Sequence, residues 1–295
     1  MKDTYTRVIP DNFGGLPPES SAYETSRAVI FPIPLERTTT YMTGTRNGPA
    51  ATLAASRNME LYDDELGSEP YHRFGIATLP SIDTQEGTLD HVMAEIRATE
   101  SGLLADGKFP LALGGEHSLT GPLVAAAREK FPDLTVLQID AHADLRDAYQ
   151  GNPLSHASVM RRVVELCPAV EVGIRSISVE EAEAIPHLPV RIHWARNIAS
   201  RPVETWAPNV LASLSPHVYL TVDLDGFDPA FVPATGTPEP GGLDWYQITG
   251  LIRTLAATRT IVAADIVELL PQPGHHASDF LAAKLAYKIL AYALG

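Results

Sequence analysis

The chain has 295 residues, 45% hydrophobic content and a mean hydropathy of −0.02, enough to bury one large core without a second domain. A formal net charge of −14, from 22 Lys and Arg against 36 Asp and Glu, argues against a nucleic-acid partner, which would want a basic surface, and mildly favours a cationic ligand. One cysteine, Cys167, excludes an internal disulfide and fits a reducing compartment; with no signal-like apolar segment near the start and no run long enough for a bilayer, a soluble cytoplasmic protein is expected.

In chain order, the first 25 or so residues read as an N-terminal arm ahead of a single domain. Residues 29–33 read as the first strand. Gly48-Pro49 opens a helix through ATLAASRNM, with proline well placed in the first turn. A second helix is predicted over 88–105. Residues 109–113 (FPLAL) form a strand that stops at Gly114-Gly115, and a helix beginning near Ser118 follows at once. Then come strand 134–139, a helix near 156–166, strand 169–174, a helix near 179–185, strand 190–194, a helix near 203–213 and strand 217–222. A helix from Asp244, strand 260–267 and a closing helix 277–293 complete the chain, with Lys284 and Lys288 marking the wet face of the last. Strands that are apolar on both faces and separated by helices predict an α/β fold with a mostly parallel sheet covered on both sides.

Polar strings stand at the carboxyl ends of these strands, where open α/β sheets place their ligands. Asp140-Ala-His142-Ala-Asp144 follows LTVLQI, and Asp223-Leu-Asp225-Gly-Phe-Asp228 follows VYLTV. On extended backbone, alternate residues share a face, so Asp140, His142 and Asp144 can converge, and Asp223 and Asp225 do the same from a second strand. The corner Gly114-Gly115-Glu116-His117-Ser118 adds His117 from a third. Burying carboxylates without partners costs several kcal/mol each, so a cation is required. Four aspartates and two histidines suit two metals sharing carboxylates, an arrangement that activates water at neutral pH. Oxygen-rich ligation with some imidazole and no thiolate suits Mn²⁺, with Zn²⁺, Fe²⁺ or Co²⁺ as adventitious occupants. Taken singly, each string has a blander account: a helix cap beside a surface ion pair, or a satisfied core histidine at His117. Asp228, among Asp-Gly and Asp-Pro pairs, reads as a turn residue. Joint occurrence at three strand ends favours metal.

GGEHS, DAHADLR, the following SHAS, DLDGFDP with ATGTPEPGG, and a late strand ending in Glu268 resemble the ureohydrolase family of arginases and agmatinases. TGTRNGP, ELYDDELG and Gly173-Ile174-Arg175 extend the resemblance over nearly the whole chain. It implies a three-layer α/β/α sandwich, two Mn²⁺ per subunit and a homo-oligomer, trimeric or hexameric. Carried over position by position, His117, Asp140, Asp144 and Asp223 would hold one ion, and Asp140, His142, Asp223 and Asp225 the other, with Asp140 and Asp223 bridging. Glu268 would bind the substrate guanidinium. His156 would contact substrate and shuttle a proton to the leaving amine, and Asp144 would assist the first proton transfer. On their own, Glu268 would read as a strand-end glutamate and His156 as a helix-start residue.

PLSHAS and TPEPGG resemble agmatinases in particular, which implies hydrolysis of agmatine to putrescine and urea, a step of polyamine biosynthesis. Arg146 could instead pair with a substrate carboxylate, which keeps guanidinobutyrate, arginine and formimidoylglutamate open. Asp147, Glu60, Asp63 or Asp64 could face a distal ammonium. A catalytically silent relative and a single-zinc deacetylase are the readings from other classes, and the full double set of ligand positions disfavours both. His72, His91, His187, His193, His217 and the pair His275-His276 read as ordinary polar residues.

Overall fold

The computed structural model describes residues 11–295, so the first ten residues of the expected arm lie outside the described region. Eight strands, β1 (Ala28–Ile33), β2 (Ile76–Thr78), β3 (Phe109–Gly114), β4 (Thr135–Ile139), β5 (Ala169–Ile174), β6 (Val190–Trp194), β7 (His217–Asp223) and β8 (Thr260–Val267), form one sheet in the order β2-β1-β3-β8-β7-β4-β5-β6. Every neighbouring pair is parallel.

A parallel sheet needs cover on both faces, and the alternation along the strands supplies it. Ile30, Leu113, Leu137, Leu220 and Ile266 face one layer, built largely from helices Gly48–Ser56, Trp245–Thr258 and Ala277–Leu294. Phe31, Ala112, Val136, Tyr219 and Val262 face the other, where helices Leu89–Ala105, Thr120–Lys130 and Val159–Val164 pack. The result is a three-layer α/β/α sandwich. Helix starts follow local chemistry: Asp244 accepts from the Gln247 backbone N–H at 2.8 Å while Gln247 Oε1 accepts from the Asp244 N–H at 3.0 Å, a reciprocal cap that fixes where Trp245–Thr258 begins. Among the described residues no helix is long and apolar enough to cross a membrane.

Three local features depart from the sequence expectation. Strand β2 is three residues long and pairs only with β1, too short for an alternation to show. The helices expected near 118, 156 and 203 each begin as a tight 3₁₀ turn, His117–Leu119, His156–Ser158 and Val203–Thr205. Strand β6 is half-exposed rather than apolar on both faces, because it is the other edge of the sheet. Within the expected arm, Phe13 and Leu16 are buried in the first core layer.

The order places β3, β8, β7 and β4 side by side at the centre. Neighbouring parallel strands stand about 4.8 Å apart, so four adjacent strand ends span only about 14 Å. Asp223 ends β7, Asp140 and Glu268 directly follow β4 and β8, and His117 lies three residues past β3.

Candidate metal centre and active site

Two glycines bring the strand ends together. A Cβ on Gly115 would lie 2.1 Å from the Leu35 carbonyl oxygen, so only glycine lets the β3 corner turn His117 inward. A Cβ on Gly226 would lie 2.9 Å from the Asp140 nitrogen, so glycine there lets the turn after β7 press against the end of β4. Arg175, at the end of β5, donates to the carbonyls of Asp225 at 2.7 Å, Phe227 at 3.2 Å and Glu239 at 2.7 Å, and so clamps the loop that carries Asp225.

The six residues expected as ligands meet in one place. His117 Nδ1 lies 3.1 Å from Asp140 Oδ2, 3.2 Å from Asp144 Oδ2 and 3.5 Å from Asp223 Oδ2. His142 Nδ1 lies 3.0 Å from Asp225 Oδ2 and 3.7 Å from Asp140 Oδ1. Two triads each have ligand atoms within 4.8 Å of one another and could hold a metal ion: His117, Asp140 and Asp223, and Asp140, His142 and Asp225. Asp140 belongs to both. Asp144 stands beside the first triad in a left-handed conformation, φ 53°, which non-glycine residues adopt only at a cost.

The donor set fits divalent cations on an observation independent of any likeness. His117 Nδ1 is buried and has no hydrogen-bond partner, although it faces three carboxylates. Its other nitrogen, Nε2, lies 2.9 Å from the Thr221 hydroxyl, which donates its own proton to Asp265 Oδ1 at 2.6 Å. Thr221 can therefore only accept from the ring, so Nε2 carries the hydrogen and Nδ1 presents a lone pair to the carboxylates. A buried lone pair aimed at carboxylates is a repulsive arrangement unless a proton or a cation stands between them.

The electrostatics say the same. Burial opposes a charge on His117, but the facing carboxylates of Asp140, Asp144 and Asp223, which would accept from a protonated ring, outweigh it and raise the ring well above its ordinary pKa. His142 is likewise pushed up to about 12, burial being overcome by Asp225 and Asp140. Burial, with Asp225 and Asp140 close by, drives the Asp223 carboxyl well above the usual range. Asp140 alone goes down, because its bonds to His117 and His142 exceed the penalty of burial. Without metal, the protein relieves this crowding by holding protons; a divalent cation would displace them.

Beside the cluster lies a cavity of about 260 Å³ lined by His142, Asp144, His156, Asp223, Asp225 and Glu268 among others. Glu268, also left-handed at φ 63°, accepts from the His117 backbone N–H at 2.7 Å, and burial raises its carboxyl to about 8. His156 enters from the turn after Ser155, its ring edge-on to Tyr149 at 6.0 Å between centroids. Asp228 accepts from the N–H groups of Ala230, Gly241 and Gly242, organising a turn and lying outside both triads. The acidic residues considered for a distal ammonium lie elsewhere: Asp63 pairs with Lys288 at 2.8 Å, Asp147 with Arg162 at 2.8 Å, and neither they nor Glu60 and Asp64 line the cavity.

The sequence reading passed over the residues that hold these groups. Asp265, in mid-β8 and fully buried, accepts from Thr120 at 2.9 Å, Tyr219 at 2.8 Å and Thr221. Glu116, quoted within GGEHS but given no role, accepts from the backbone N–H groups of Arg37, Thr38 and Thr39 at 2.8, 2.6 and 3.1 Å. A charged residue inside an apolar strand, as in AADIV, was the available signal for Asp265.

Fold and site together define a three-layer α/β/α protein whose parallel sheet carries a paired carboxylate–imidazole centre able to hold divalent cations. The particular family is equally plain: a model of the arginase family matches residues 26–292, and the chain belongs to that family, whose members are hydrolases of amidino C–N bonds. Among curated relatives, the N(1)-aminopropylagmatine ureohydrolase of Synechocystis sp. is 42% identical over 279 residues, covering 92% of this chain and 90% of that protein. An agmatinase of Bacillus anthracis is 36% identical over 267 residues, covering 86% and 87%. Among solved structures, the agmatine ureohydrolase of Thermoplasma volcanium superposes with a TM-score of 0.87 at 32% identity, over 97% of this chain and 95% of that one.

Proposed function

We propose that the protein is a ureohydrolase of guanidinoalkyl amines, with agmatine giving putrescine and urea as the minimal reaction, and that it works with two Mn²⁺ per subunit. The observation that carries this reading is a partly buried carboxylate, Glu268, placed in the same cavity as the paired acidic–histidine centre and His156. His117, Asp140, Asp144 and Asp223 would hold one ion, and Asp140, His142, Asp223 and Asp225 the other; the oxygen-rich donor set favours Mn²⁺. When bound, the cations supply a strong water-derived nucleophile at neutral pH, which a guanidinium carbon requires because its charge is delocalised.

The remaining work falls to the chain. Glu268 takes two guanidinium N–H groups and fixes the plane of the group for attack. Its raised pKa means that an arriving cation favours the ionised form it needs. Asp144 accepts the first proton. His156 delivers a proton to the amine that leaves, since an amine departs well only when protonated.

Arg146 supports an amine-tailed substrate over a carboxylate-tailed one. Its guanidinium stacks 5.0 Å from the Tyr149 ring centroid and lies 3.9 Å from Glu181, so its charge is already partnered. A longer tail is the second reading. The Synechocystis relative carries the name N(1)-aminopropylagmatine ureohydrolase, and Tyr41 and Met42 on the outer wall are 74% and 48% exposed, leaving the cavity mouth open to solvent. Urea release from agmatine, N(1)-aminopropylagmatine, L-arginine and 4-guanidinobutyrate after Mn²⁺ loading tests both readings. The kcat/KM ratio of the first two decides between them, and faster turnover of either carboxylate-tailed compound overturns the proposal. Light scattering should give a trimer or hexamer.

A further inference from the structure

The loop after β1 lines the cavity with Thr39, Thr40, Tyr41 and Met42 and reaches His156 through Thr38. Thr38 Oγ1 donates to Glu116 Oε1 at 2.9 Å, which uses its only hydrogen. The same oxygen accepts from the His156 backbone N–H at 3.0 Å and lies 3.2 Å from His156 Nδ1. Glu116 is fully buried, and hydroxyls and backbone N–H groups from residues 37–39, together with Ser118 Oγ at 2.5 Å, donate to it. Its carboxylate has donors on every side and cannot lend a proton to Thr38.

With its hydrogen committed, Thr38 can face a ring nitrogen only as an acceptor. Ser155 Oγ lies 3.3 Å from the same Nδ1 and could be either partner. If Nδ1 carried a lone pair, Ser155 could donate to it, but the Thr38 oxygen would then oppose it lone pair to lone pair at 3.2 Å. If Nδ1 carries the hydrogen, both oxygens can accept from it, and the longer contact, to Ser155, is the one that gives up its donation to the ring. The second arrangement exchanges that 3.3 Å donation for removal of a lone-pair opposition at 3.2 Å.

We propose that Glu116, acting through Thr38, fixes the neutral His156 ring with its hydrogen on Nδ1, so that Nε2 is the atom that exchanges a proton in the cavity. Thr38 and Glu116 are positioning residues: neither needs to touch substrate. The inference rests on the reading of His156 as the group that protonates the leaving amine. A neutral imidazole has one basic nitrogen, and a ring held in the wrong tautomer would turn its N–H to the cavity and could not collect the proton it must later return.

The test uses the full-length protein with ¹⁵N-labelled histidine, loaded with diamagnetic Zn²⁺ for the spectra and with Mn²⁺ for turnover, and three variants: Thr38→Val, which keeps the shape and removes the hydroxyl, Thr38→Ser, which restores it, and Ser155→Ala. Imidazole ¹⁵N shifts of His156, assigned with His156→Asn, should report hydrogen on Nδ1 in the parent, Thr38→Ser and Ser155→Ala proteins, and a mixture of tautomers in Thr38→Val. Turnover should follow: kcat of Thr38→Val falls by about tenfold to a hundredfold, a fraction of what general acid–base catalysis contributes, with KM within about twofold and with Thr38→Ser near the parent. If Thr38→Val keeps both the parent shifts and the parent kcat, or if Ser155→Ala alone changes them, the relay is wrong. If His156→Asn itself turns over normally, the error lies in the reading of His156. The ¹⁵N shifts still judge the tautomer in that case, so the two failures are separable.

Discussion

Replacing Thr221 by valine removes one hydroxyl from the interior and nothing else of similar size. That hydroxyl donates to Asp265 Oδ1 at 2.6 Å and accepts from His117 Nε2 at 2.9 Å. A hydrogen bond to a buried carboxylate is worth about 1.5–3 kcal/mol and a neutral one about 1 kcal/mol, so folding stability should fall by about 3 kcal/mol. This lies within the ordinary margin of about 5–15 kcal/mol, and Asp265 keeps Thr120 and Tyr219, so the variant should fold. The effect on metal is separate. Without its acceptor, His117 is free to carry the hydrogen on Nδ1, where a metal would bind; loss of such a supporting partner costs about 10–100-fold in metal affinity, or about 1.4–2.7 kcal/mol. The loss should be confined to one ion, because the triad of Asp140, His142 and Asp225 does not use His117. Equilibrium dialysis against graded Mn²⁺, with metal counted by mass spectrometry, should show one equivalent weakened and one retained. Thr221→Ser, which keeps the hydroxyl, should bind both as the parent does. If the valine variant retains both ions at parental affinity, the assignment of the His117 tautomer is refuted.

Asp140→Asn keeps the shape but removes a charge shared by both triads. A unit charge pair at 4 Å is worth about 4 kcal/mol at an effective dielectric near 20, so both equivalents of metal and turnover should be lost together; full Mn²⁺ occupancy with normal activity would contradict its bridging role. Because His117 and His142 are raised above the neutral range, metal uptake should release protons, and apparent affinity should rise about tenfold per pH unit for each proton displaced. Calorimetry in two buffers of different ionisation enthalpy reads that number directly, and a heat independent of buffer rules the coupling out. Glu171 is fully buried in β5 with neither carboxyl oxygen hydrogen-bonded, and burial, then Asp140 and Asp144, push it well above its ordinary 4.5. A folded-state value above the unfolded one gives a contribution that is complete below the unfolded pKa and disappears as pH rises through the folded one. Glu171→Gln, neutral at every pH, should therefore gain on the parent in denaturant titrations as pH rises; a constant difference would show that Glu171 does not titrate in this way.

Much of the site was legible because its chemistry is local. Asp140, His142 and Asp144 lie within five residues of one strand end, so they were bound to be neighbours, although the chain leaves β4 at Ile139 and turns left-handed at Asp144 instead of continuing as extended strand. Glycine pairs marked the β3 corner for a steric reason, which the contact at Gly115 bears out. The supporting groups were not legible because their partners are remote: Thr221 meets residues 44 and 104 positions away, and Glu116 meets Thr38 at a separation of 78. No periodicity links such pairs. One edge strand escaped for a different reason: β2, three residues long, is too short to show a pattern, whereas β6 at the other edge falls on the expected residues 190–194 although it is half-exposed.

Only three non-glycine residues among those described take a left-handed backbone, Asp144, Gln150 and Glu268, and two of them line the cavity. Each such residue costs of order 1 kcal/mol or more that glycine would not incur. A library selected for heat resistance, with no demand for turnover, should therefore converge on Asp144→Gly and Glu268→Gly, and on replacements that thin the buried carboxylates. Thermostability and chemistry compete for the same few positions. Engineering this fold for endurance will have to hold those positions fixed and look for its gains on the helical layers, far from the strand ends.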